Sequence, residues 1–140
     1  MYAPQSDGGE IPQMQRAVFL PKLARMIEAN FAADAAYYVL ALDAKGFAMD
    51  RDGALEDLKT DVIRPLRTLV KGLKYIYAIH QNAEGQLFIH IVTNAAPDAM
   101  RQACARFWMY SGIHAVRSVG ELSPLRIAEA MTLDLFGVHG

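Results

Sequence analysis

The sequence predicts an α+β domain, and three observations carry that reading. Stripes of apolar residues at helical spacing alternate with short runs of aromatic and β-branched residues. Two of those runs, Tyr75–His80 and Leu87–Val92, flank a six-residue connection bearing Asn82 and Gly85, as in an antiparallel hairpin. With 140 residues, 53% hydrophobic and 21% charged, the chain has apolar material for one core and too little charge for disorder.

Residues 1–19 read as a flexible leader, because Met1–Pro12 holds two prolines, adjacent Gly8 and Gly9 and few apolar groups to offset the entropy of ordering. Residues 20–140 then form a single α+β domain. Leu20, Leu23, Met26, Ile27 and Phe31 make a first helix that ends near Ala32, with Pro21 in its first turn. Tyr37–Leu42 is the first strand. Leu55, Leu58, Val62, Leu66, Leu69 and Leu73 keep 3- and 4-residue steps, an amphipathic helix over 54–73 that Pro65 should kink by removing a donor. The hairpin follows. Pro97 opens a third helix with Met100, Cys104, Phe107, Trp108 and Ser111 on one face and Gly112 as its stop. His114–Val119 is the fourth strand. Ser123 caps a last helix that begins at Pro124, carries Leu125, Ala128, Thr132 and Leu135, and ends at Gly137. The middle six elements run β-α-β-β-α-β, the split βαβ order of ferredoxin-like domains. That order predicts a four-stranded antiparallel sheet with helices packed on one face and the other face open.

Alternation along the strands decides which side chains reach that open face. If position 80 pairs with position 88, Ile76, Ala78, His80, Phe88, His90 and Val92 share the outer face. Tyr75, Tyr77, Ile79, Leu87, Ile89 and Ile91 then lie beneath the helices. His80 and His90 are candidate ligands of a weakly held divalent metal, or else hydrogen-bonded or solvated imidazoles. No other cofactor is expected. Exposed Ile76, Phe88 and Val92 would form an apolar patch suited to a homodimer.

Fourteen Lys and Arg against fifteen Asp and Glu give a net charge of −1, which excludes avid polyanion binding by the whole surface. The balance is local, however. Arg64, Arg67, Lys71 and Lys74, with Lys59 behind them and Tyr75 and Tyr77 after them, form a basic stripe that either tracks nucleic-acid phosphates or is a solvated helix face. Asp50, Asp52, Glu56, Asp57 and Asp61 precede it, favouring a helix N-terminus through its dipole or offering a negative patch to a protein partner. Arg101 and Arg106 with Trp108 and Tyr110 read as helix surface plus core aromatics. The single cysteine, Cys104, excludes an intramolecular disulfide and reads as an inert packed thiol in a reducing compartment. No P-loop, Gly-x-Gly-x-x-Gly or Gly-x-Ser-x-Gly occurs. No apolar run approaches the roughly 18 to 20 residues of a membrane span, so the expected setting is cytoplasmic, without a membrane partner.

The segment Glu84-Gly85-Gln86-Leu87-Phe88-Ile89-His90-Ile91, in its order of elements, resembles the HUH endonucleases, the replication initiators of rolling-circle plasmids and phages and the related relaxases. The resemblance extends over Tyr37–Phe136. It implies a metal that polarises a scissile phosphate and a Tyr on the last helix that attacks it. Position by position, Phe88 stands in the place of the first metal-binding His, His90 in the second, and His80 near the acidic ligand, while Pro124–Phe136 contains no Tyr. The resemblance therefore implies a catalytically degenerate replication-initiator-like protein of a mobile element, a nucleic-acid- or protein-binding module and not an enzyme. Two other readings stand beside it: a phage- or plasmid-encoded, anti-CRISPR-like protein-binding inhibitor of a host defence system, and a residual metal-dependent nicking enzyme using His80 and His90.

Overall fold

A strand whose two faces are both apolar must be covered twice, and the strand Leu87–Thr93 is buried along its whole length. The structure, a computed structural model, describes residues 16–42, 50–81, 87–104 and 113–133. Its strands are β1 (Ala36–Leu42), β2 (Tyr75–Gln81), β3 (Leu87–Thr93) and β4 (Ile113–Ser118). They form one sheet in the order β2-β3-β1-β4, with every neighbouring pair antiparallel. The protein is thus an α+β domain with a four-stranded antiparallel sheet, as expected. His80 pairs with Phe88 and Ala78 with His90, the register assumed from the sequence.

One face carries Tyr38, Leu40, Tyr77, Ile79, Leu87, Ile89 and Ile91. Against it pack α2 (Arg51–Asp57), a π-helical segment (Leu58–Ile63) and α3 (Arg64–Leu69), which form one helical run, together with α4 (Pro97–Ala103). The π segment ends at Ile63, two residues before Pro65. Proline has no N–H for the carbonyl of Asp61 and its ring crowds that group, and the turn before it is widened by one residue. The helix ends at Leu69, earlier than the stripe to Leu73 suggests, leaving Leu69 exposed while Leu73 reaches the core from the following loop.

The opposite face is not open, and the expectation of helices on one side only is corrected here. Tyr37, Val39, Ile76, Phe88 and Val92 lie under α1 (Arg16–Asn30) and the C-terminal helices α5 (Val119–Leu122) and α6 (Pro124–Leu133). Leu23, Met26 and Ile27 of α1, with Phe31 just after it, meet Ile127, Ala128 and Met131 of α6 across this layer. The reason is energetic: apolar surface left in water costs roughly 25 cal/mol per Å², and the outer row is almost wholly apolar. The patch proposed for a homodimer, Ile76, Phe88 and Val92, is buried within the chain.

Local signals set the element ends. α1 opens at Arg16, not Leu20, which places Pro21 inside the helix. Ser118 and Glu121 make a reciprocal capping box for α5, and these hydrogen bonds hold the Glu121 carboxyl below the usual carboxylate range. Backbone N–H groups of Val119 and Gly120 donate to Ala35 and Ala33 carbonyls at 2.7 and 2.9 Å, fastening α5 beside β1. A Cβ at Gly120 would come within 3.1 Å of the Ala33 Cβ, so a side chain here would press Ala33 back by a few tenths of an ångström. Ser123 Oγ accepts from the Arg126 N–H at 3.3 Å, the cap expected for α6. Its buried stripe is Ile127, Ala128, Ala130 and Met131, whereas Leu125, expected in the core, is 49% exposed.

Candidate nucleic-acid interface

The basic stripe begins with a consequence of Pro65. In an α-helix of 3.6 residues per turn, positions five apart face about 140° away from one another. The π turn instead brings the Arg64 N–H onto the Lys59 carbonyl, which narrows the angle between these two positions. Arg67 follows one turn from Ile63. Lys59, Ile63, Arg64 and Arg67, with Tyr75 of β2, line one open cleft of about 350 Å³. No carboxylate belongs to that lining among the described residues.

Tyr75 shapes the cleft wall. The Arg67 guanidinium carbon lies 5.8 Å from the centroid of its ring, a cation–π contact. The ring also stacks beside Tyr77 at 6.3 Å with planes 23° apart. Tyr75 is held at this place by the end of β3: Asn94 Oδ1 accepts from the Lys74 N–H at 2.9 Å, Asn94 Nδ2 donates to the Gly72 carbonyl at 3.0 Å, and Thr93 Oγ1 donates to the Lys74 carbonyl at 2.8 Å. Gly72, at φ +72°, makes the left-handed turn that this clamp requires.

Of the residues singled out from sequence for nucleic acid, Arg64, Arg67 and Tyr75 thus meet at the cleft. Lys71 and Lys74 are exposed in the loop after α3, outside the helical stripe. Lys59 enters the site through the widened turn, and Ile63 was not foreseen. The signal for both was Pro65, whose missing donor changes the spacing at which residues share a face.

The acidic residues separate by role. Asp50 is the N-cap of α2, its Oδ1 accepting from the Gly53 N–H at 2.7 Å. Asp52 and Glu56 are exposed, while Asp57 and Asp61 are partly buried. The Arg101 side chain pairs with Asp98 at 3.6 Å on the surface of α4; Arg106, Phe107, Trp108, Tyr110, Ser111 and Gly112 lie outside the described residues.

His90 is not on an open face. It is wholly buried in the central strand, flanked in register by Ala78 and Val39. Its Nδ1 and the Tyr37 hydroxyl lie 2.7 Å apart, the hydroxyl donating when the imidazole proton sits on Nε2. The rings stack at 6.0 Å. The His80 side chain, like the leader up to residue 15 and the turn with Glu84 and Gly85, lies outside the described residues. The metal implied by the resemblance does not fit what surrounds His90: Phe88 has no donor atom, and no group of three His, Cys, Asp or Glu is placed to hold an ion among the described residues. Replacing Tyr37 by Phe removes the hydroxyl from a buried polar pair, and should lower unfolding stability by about 1–3 kcal/mol in a urea titration.

Cys104 is buried at the end of α4, and desolvation pushes its thiol up to about 12 from an ordinary 9.0. Burial, then the nearby Cys104, likewise push the Tyr38 hydroxyl up to about 12, while its O–H donates to the Ala95 carbonyl at 3.1 Å. The thiol is the inert, packed group expected. Between pH 9 and 12 the folded chain keeps these protons and the unfolded chain loses them, so stability must fall as pH rises through that window. Urea midpoints measured against pH should show this decline, and Cys104→Ala should make it shallower.

No helix among the described residues is long and apolar enough to cross a membrane. Comparisons with protein-family models, curated proteins and solved structures find no match to this chain.

Proposed function

We propose that the chain is a non-catalytic binding module that holds nucleic acid by its phosphates at the cleft between the π segment, α3 and β2. The observation that carries this is the Arg67 guanidinium seated 5.8 Å over the Tyr75 ring in a cleft that Lys59 and Arg64 also line. A guanidinium held against a ring keeps its fork of N–H donors in a defined plane, which suits phosphate oxygens. Lys71 and Lys74 extend the positive field beyond the cleft. The module is of the replication-initiator type, with Phe88 and a core His90 where a nicking enzyme would carry metal ligands. A protein-inhibitor role through the acidic half has less to stand on, since Asp50 is engaged as a cap.

The test is an anisotropy titration of labelled single-stranded and duplex DNA and RNA over about 50 to 200 mM salt. Three to five phosphate contacts predict a slope of log affinity against log salt of about −2 to −3.5 for single strands. Absence of binding at the lowest salt would sink the proposal.

A further inference from the structure

We infer that the cleft takes a phosphomonoester, the terminal phosphate of a strand, in preference to an internal phosphodiester. This rests on the phosphate-binding reading above and specifies its ligand. Lys59, Arg64 and Arg67 bring three positive charges to one space of about 350 Å³, with no carboxylate lining it among the described residues. An internal diester offers that space a single negative charge and two free oxygens. A terminal monoester carries about −1.5 to −2 charges at neutral pH and three strongly accepting oxygens. The Arg64 fork and the Lys59 ammonium supply enough donors for all three oxygens, and their two charges are matched by the dianion and not by a monoanion, with Arg67 held in the cleft wall against Tyr75.

The geometry separates this ligand from simple tracking of a backbone. The π turn brings Lys59 and Arg64 toward one side of the helix, and Arg67 lies against Tyr75 in the wall of the same cleft, so one space receives all three residues. Lys71 and Lys74 lie outside the cleft lining, where they would meet the chain that follows the terminal phosphate.

The experiment compares one single-stranded oligonucleotide bearing a 5′-phosphate with the same oligonucleotide bearing a 5′-hydroxyl, each labelled at its 3′ end. The expected result is about tenfold tighter binding of the phosphorylated form. Arg67→Ala and Lys59→Ala should each erase that ratio, whereas Lys71→Ala should weaken both forms alike. Adenosine monophosphate as competitor distinguishes the source of the monoester: it should reduce the ratio only at concentrations far above that of the strand. Displacement of the strand by the mononucleotide at equal concentration would overturn the strand-end assignment in favour of a free nucleotide. Equal, salt-dependent binding of the two oligonucleotides overturns this inference and leaves the broader proposal standing, while failure of both to bind overturns the two together.

Discussion

Reversing both guanidinium charges of α3, by Arg64→Glu with Arg67→Glu, is expected to weaken nucleic-acid binding by at least about a hundredfold. Each charge-assisted contact to phosphate is worth roughly 1.5 kcal/mol or more, and two together exceed the factor of about 100 that 2.8 kcal/mol represents. On single strands the salt slope should become shallower by about 1.4, roughly 0.7 for each phosphate contact removed. Both residues are exposed, so the cost to the folded state should be confined to the Arg67 contact with Tyr75, about 0.5–1 kcal/mol. Anisotropy titrations over salt, paired with urea unfolding of the same variant, read the two quantities separately. Retained affinity with an unchanged slope would mean that the cleft is a solvated helix face and that nucleic acid, if bound, lies elsewhere.

The second large effect concerns the covering of the outer sheet face. Ile27 is wholly buried in the layer where α1 meets Phe88, Val92 and the stripe of α6. Ile27→Ala should therefore cost about 2–5 kcal/mol, the transfer energy of the lost methyl groups plus the cavity they leave. Were the outer face open and the N-terminal helix only loosely attached, the same change would cost little. Leu125→Ala supplies the opposite prediction. The periodic reading counts Leu125 as core, but it is 49% exposed, and the change should stay within about 0.5 kcal/mol. Urea unfolding of the two variants decides between the covered and the open sheet.

Much of the fold was legible because local chemistry and global arrangement agree. The hairpin strands, Pro97 at the start of α4 and Ser123 before Pro124 follow from side-chain period and cap chemistry, and the structure has each of them, as it has the 80-to-88 register assumed for the hairpin. The candidate site was legible in part. Arg64, Arg67 and Tyr75 stand close in sequence, so their meeting required only a short turn. Lys59 and Ile63 join them because a proline widens the turn before it, an effect on spacing that a fixed 3.6-residue period does not include. His90 was misplaced for a different reason. The face it occupies was correctly assigned, but whether that face meets water depends on helices more than fifty residues away in one direction and more than thirty in the other.

By itself the sequence determined the elements, the antiparallel sheet and the partition of side chains between its two faces, since alternation, caps and turn residues act over a few positions. Only the tertiary structure decided that both faces are buried, that His90 is a core residue bonded to Tyr37, and that three cations and a tyrosine share one cleft. Those outcomes depend on long-range packing: a helix covers whichever apolar face it can bury most surface against, and that choice is made between segments far apart in the chain.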